Sequence, residues 1–168
     1  VLRAVRRAAC EGRQLKSLKR SAASSACHCV AQYNPRMNNH ASGTFDVKLS
    51  PQPSTGDWGL GRFSLDKQFH GDLAATSAGE MLSAMTGVEG SAAYVAVERV
   101  SGTLHGRRGA FTLQHTGVMA RGEQQLTIAV VPDSGVDELA GLTGQMTIRV
   151  DGDGHFYDFE YALDETSG

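Results

Sequence analysis

From about residue 43 onward, apolar and polar positions alternate in short runs that glycine and proline interrupt. Phe45, Val47 and Leu49 alternate with Thr44, Asp46 and Lys48. That period of two is the mark of a half-buried strand. Pro51, Pro53 and Gly56 break the run. A second strand is predicted near 60–70, with Phe63, Leu65 and Phe69 on one face, and His70-Gly71-Asp72 then reads as a tight turn. Further strands are predicted near 73–83, 92–105, 110–119, 125–131, 145–150 and 155–163. A loop over 84–91 separates the third and fourth. Gly106–Gly109 turns the fourth into the fifth, Pro132–Gly141 is the longest irregular connection, and Asp151–Gly154 reads as a hairpin turn.

Eight strands joined mostly by short turns predict an all-β, antiparallel meander. A sheet of this kind removes its exposed edges by closing on itself. The expected fold is therefore a closed eight-stranded barrel, a single domain over 41–165, with a β-sandwich as the alternative. A barrel of that size is either filled by its own side chains or holds one small ligand.

Hairpin turns set register, and register decides which side chains share a face. A two-residue turn in the last hairpin puts Ile148 opposite Tyr157 and Met146 opposite Phe159, so the apolar pairs agree. With Gly106–Gly109 as the turn, Leu104 faces Phe111, Gly102 faces Leu113 and Val100 faces His115. The same apolar face then carries Glu98 and Tyr94. A two-residue turn at His70–Asp72 places Lys67 and Glu80 on the apolar face as well, whereas a three-residue turn would reverse that parity. Lys67, Glu80, Tyr94, Glu98 and His115 are thus the candidate ligand-binding residues. One reading pairs them with one another as a satisfied buried network, because an unpaired buried charge is costly. The other makes them the polar contacts of an apolar pocket.

Composition changes the picture at the N-terminus. Residues 1–36 hold eight Lys/Arg and one acid, a net of +7, and residues 37–168 hold eight Lys/Arg and 17 acids, a net of −9. The domain is acidic, which argues against nucleic acid as a partner. All three cysteines, Cys10, Cys27 and Cys29, lie in the basic stretch, so the domain has no disulfide framework. Residues 1–40 are expected to be a non-native or disordered extension, since the chain opens on Val1 and Met37 lies just before the first strand. A transit peptide or a basic arm is the alternative. No apolar run has the length of a membrane span. The expected compartment is the cytoplasm, with no membrane partner.

Other motifs are weak. Cys27-His28-Cys29 has no second half of a metal site. Asp151-Gly152-Asp153-Gly154 lacks the remaining ligands of a calcium loop. His40, His70, His105 and His155 fall at strand ends or near turns and are read as solvated. No cysteine nucleophile or Gly-x-Ser-x-Gly elbow occurs in the domain. No metal and no cofactor are expected.

The stretches Leu65–Gly117 and Val130–Ile148 resemble the bacterial family called domain of unknown function 3224, and the resemblance extends over about 42–163. It implies a fold similar to the allene oxide cyclases, a closed eight-stranded meander barrel. Pro132-Asp133-Ser134-Gly135 with Leu139-Ala140-Gly141 also looks like the connection before the last hairpin of cyclase and dirigent barrels. The resemblance implies no activity and assigns no catalytic residue, because fold does not transfer function. Three readings follow: a barrel binding a small, mostly apolar ligand, a cofactor-independent isomerase, cyclase or lyase that moves a proton with a Glu or His, and a filled structural barrel. Barrels of this kind can associate, so a homo-oligomer is compatible with all three.

Overall fold

The computed structural model describes residues 39–53, 59–152 and 154–163. Expectations for the basic stretch, its cysteines and the domain boundaries therefore lie largely outside the described residues. Eight long strands carry the fold: β1 (Asn39–Gln52), β2 (Leu60–Gly71), β3 (Leu73–Met85), β4 (Ala92–Leu104), β5 (Arg107–Ala120), β6 (Glu123–Val130), β8 (Leu142–Asp151) and β9 (Gly154–Leu163). A two-residue strand, β7 (Val136–Asp137), pairs with Gly109–Ala110 within the connection expected to be irregular. Each long strand is antiparallel to its neighbours. Consecutive long strands pair in turn, including β4 with β5, and the β1–β9 pairing joins the ends of the meander and closes the barrel. The expected closed eight-stranded barrel is what the chain forms, not a sandwich. Among the described residues, no helix is long and apolar enough to cross a membrane.

Closure sends alternate side chains inward on every strand. The burial of β3 and β4 follows this: Leu73, Ala75 and Ser77 point in, as do Ala96, Glu98 and Val100. One end of the interior is filled by rings. Phe45 packs on Phe69, Phe69 meets Tyr157 edge-on, and Phe159 stacks on Phe111 and Tyr161. Leu139 and Leu142, from the segment after β6, join this core.

Turn chemistry fixes the registers. His105 and Gly106 both sit at positive φ (47° and 81°), as do Arg121 and Gly122 (53° and 94°). These two-residue turns have the backbone twist that suits a hairpin. The β4–β5 turn is therefore His105-Gly106 rather than Gly106–Gly109. Leu104 pairs with Arg107 and Val100 with Phe111, while His115 faces Ala96. The slip is an even number of positions, so the predicted face survives although the partners change. The last hairpin matches its predicted pairs, with Met146 opposite Phe159 and Ile148 opposite Tyr157.

The β2–β3 turn breaks the expectation. Phe69 pairs with Ala75 and Lys67 with Ser77, so an odd number of residues turns the chain and the parity of β3 is reversed. Asp72 is the extra residue. Its N–H donates to the Ser42 carbonyl at 3.1 Å, and its own carbonyl accepts from the His105 N–H at 2.9 Å. Its carboxylate accepts from the Ser42 N–H at 2.8 Å. Gly71, at φ +105°, allows the tight approach to β1. Bonds to β1 on one side and to the β4–β5 turn on the other thus decide a turn that looks two-residue in isolation.

Tyr157 locks the same corner. Its hydroxyl accepts from the buried Leu73 N–H at 2.9 Å and donates to the His70 carbonyl at 3.3 Å. Tyr157→Phe leaves that N–H without its partner and is expected to cost about 1–3 kcal/mol. The loss should appear as a lower urea midpoint with an unchanged m-value.

Candidate functional site

Beyond the aromatic end, the inward positions of β2, β3, β4 and β5 place Lys67, Ser77, Glu98 and His115 together. All four are buried, and Glu98 is only 1% exposed. Glu98 is the hub. Its Oε1 accepts from Lys67 Nζ at 2.7 Å and from His115 Nε2 at 2.7 Å, and its Oε2 accepts from Ser77 Oγ at 2.5 Å. The ammonium also lies 5.2 Å from the Phe45 ring centre and 5.6 Å from that of Phe69, within cation–π range. Because the ionised carboxylate can only accept, His115 Nε2 carries the hydrogen of their bond.

Burial by itself pushes the Glu98 carboxyl up. The hydrogen bond from His115, the charge and hydrogen bond of Lys67 and the Ser77 hydroxyl outweigh it and hold the group at about 2. Glu98 is therefore a fixed anion across the physiological range. The close approach of β3 makes the cluster possible, since a Cβ at Gly79 would collide with the backbone of Val97 and Glu98.

Of the five candidates, the structure brings Lys67, Glu98 and His115 into direct contact. Tyr94 lies further along the same inner face of β4, half-buried, with its ring against Gly117, where a Cβ would overlap it. Burial raises the Tyr94 hydroxyl above its ordinary pKa, and the Glu98 charge adds to this. Glu80 is a correction. It is exposed on the outer wall and makes a bidentate pair with Arg62 at 2.7 and 3.1 Å. The odd-length β2–β3 turn explains the reversal, because it turns even-numbered β3 residues outward. The same parity brings in Ser77, which the sequence reading missed. A correct turn length would have found it.

The remaining histidines are not simply solvated. His40 pairs with Asp158 at 3.0 Å and His70 with Asp46 at 3.2 Å, both on the exposed wall. His105 Nδ1 shares a 2.7 Å hydrogen bond with the Tyr161 hydroxyl. His155 packs against the Phe45 ring. Among the described residues, no group of three or more His, Cys, Asp or Glu is placed to hold a metal ion.

A cavity of about 660 Å³ occupies the other end of the barrel, where the β3–β4 loop and the β5–β6 turn lie. Met81, Met85, Met119, Leu126, Ile148 and Val150 give it an apolar wall, and Tyr94, Ser83, Gln124 and Gln125 contribute its polar groups. Among the described residues, Lys67, Glu98 and His115 do not line it. Along the strands, Met81, Tyr94 and Gly117 occupy the next inward positions after Gly79, Ala96 and His115. The polar cluster thus forms the tier between the filled aromatic end and the open one.

Comparison with known proteins agrees with this architecture. A family model described as a protein of unknown function (DUF3224) matches residues 41–161. A crystal structure of a protein of unknown function from the DUF3224 family of Shewanella oneidensis MR-1 superposes with a TM-score of 0.72. The two are 51% identical, covering 76% of this chain and 98% of that one. No curated protein matches the chain.

The hub makes a stability prediction. Glu98→Gln leaves the Lys67 ammonium buried without its counter-ion and is expected to cost about 3–5 kcal/mol. Adding Lys67→Met should return part of that loss. The Glu98 carboxyl is held below its ordinary 4.5. Its contribution is therefore present above that pH and lost as pH falls toward about 2. Urea midpoints measured between about pH 5 and about pH 2 should fall more steeply for the unaltered chain than for Glu98→Gln.

Proposed function

The chain belongs to the DUF3224 family of proteins of unknown function, and from the geometry of its barrel we propose that it binds one small, mostly apolar ligand in the open end. The observation that carries this reading is the 660 Å³ cavity with its apolar wall and few polar groups. Its size and composition are those of small-molecule sites, which run to about 300–1,000 Å³. A barrel filled at one end and hollow at the other is neither of the two simple cases that eight strands allow. The aromatic half supplies a rigid frame, and the cavity sits on it.

Within this reading Tyr94 is the contact residue among the original candidates. Its raised pKa keeps the hydroxyl protonated, so it can both donate and accept. Lys67, Ser77, Glu98 and His115 are positioning residues that hold the tier beneath. Their engagement with one another argues against acid–base catalysis by Glu98. An effective general base has a pKa near the working pH, whereas this carboxylate is held at about 2 with both oxygens occupied. Binding is thus favoured over a cofactor-independent isomerase, cyclase or lyase.

A specific observation also supports self-association. Leu82, Val95, Val97 and Val118 are roughly half exposed on the outer wall of β3–β5, with Leu82 directly opposite Val95. Large apolar side chains exposed together on neighbouring strands are a mark of interaction surfaces. Sedimentation should show an oligomer that Val95→Lys with Val97→Lys dissociates, and a monomeric unaltered chain would remove this reading.

Ligand binding is tested with N-phenyl-1-naphthylamine, whose fluorescence rises in apolar surroundings. The unaltered chain should enhance it saturably. Ser83→Trp, which places an indole in the cavity, should abolish the enhancement while leaving the unfolding free energy from urea titration within about 1 kcal/mol of that of the unaltered chain. No saturable enhancement by the unaltered chain would sink the proposal.

A further inference from the structure

The chemistry of the lining goes further than its shape. Among the described residues, no Asp, Glu, Lys, Arg or His lines the cavity. Glu80, Glu123 and Arg149 neighbour lining residues along their strands but are exposed at outward positions. Among inward positions, the ionisable groups nearest in the strand order lie one tier below and are committed to each other, with Lys67 and His115 bonded to Glu98 Oε1 and the Ser77 hydroxyl to Oε2. Neither Lys67 nor His115 is left over to meet an incoming carboxylate, because withdrawing either would strip a buried anion of a partner.

We infer that the site selects an uncharged ligand, and that it rejects an anion of the same size and chain length. The inference rests on the ligand-binding reading above and names the class of molecule that it takes. A neutral hydroxyl or carbonyl can bond with Tyr94, Ser83 or the Gln124 and Gln125 amides, each of which is itself neutral. A carboxylate entering the same place gives up its hydration for donors that carry no charge, and the hub beneath, where Lys67 already pairs with Glu98, offers it no counter-ion. Burial of an ion without a counter-ion is among the most costly events in an apolar site. An ammonium gains nothing comparable, since the Glu98 charge is already matched by Lys67. The three methionines on the wall, Met81, Met85 and Met119, suit this class too. Their flexible thioethers adapt to apolar shapes and offer no formal charge.

Displacement of N-phenyl-1-naphthylamine from the full chain separates the alternatives. The competitors are 1-decanol, decanoate and decylammonium, used at neutral pH below the concentrations at which they form micelles. The alcohol is expected to displace the probe, with decanoate weaker by at least about a hundredfold and decylammonium also weaker than the alcohol. Decanoate equal to or better than the alcohol would overturn charge selection and leave the binding site standing, provided that Ser83→Trp still abolishes probe binding. Preference for decylammonium would overturn it in the other direction. Failure of the unaltered chain to bind the probe would remove the ligand-binding reading and this inference with it. Probe binding that disappears as chain concentration rises would assign the cavity mouth to a second copy, and would overturn the inference as well.

Discussion

Closure of the sheet is the constraint on which the rest depends. Once β4 pairs with β5 and β1 with β9, every strand must turn alternate side chains toward one shared interior. No strand can relieve a poor inward residue by facing solvent on both sides. Glu98 lies at an inward position of β4, so its charge is buried whatever the cost. The same rule brings Lys67, Ser77 and His115 inward from three neighbouring strands. Their mutual satisfaction is the consequence of a geometry that allows them no other partners.

This division gives the barrel three tiers. Rings from β1, β2, β5 and β9 fill one end, where Tyr157 and Asp72 tie the β2–β3 turn to the strands around it. The Glu98 hub occupies the middle. At the far end smaller or flexible side chains face inward, including Ser83, Ala92 and Gly117 with Met81, Met85 and Met119, and the space they leave is the cavity. The size of the inward side chains therefore decides where the barrel is solid and where it is hollow. A hub that is rigid and internally neutralised gives the cavity a floor that bears charge but offers none to a ligand.

The same geometry separates structural from ligand-facing roles among residues that look alike in the sequence. Glu80, between Gly79 and Met81, and Glu98, between Val97 and Arg99, are both strand glutamates. One lies outside, paired with Arg62 in water, where a salt bridge contributes little. The other is a buried anion with three donors. Tyr94 and Tyr157 are both inward tyrosines. The first lines the cavity, and the second spends its hydroxyl on Leu73 and His70.

Alternation along the chain was enough to determine the eight strands, the all-β class and the inward face of β4 and β5, because a period of two is a local property of the backbone. It also determined the last hairpin, whose predicted apolar pairs are the observed ones. The burial of Lys67, Glu98 and His115 was legible for the same reason. Turn length at Asp72 was decided by hydrogen bonds from β1 and from the β4–β5 turn, which are remote in sequence. That one residue moved Glu80 out and Ser77 in. The β4–β5 register depended on His105 accepting a positive φ, a conformation that its residue type does not announce. The cavity was legible least of all, since it is the space left between strands that only closure brings face to face.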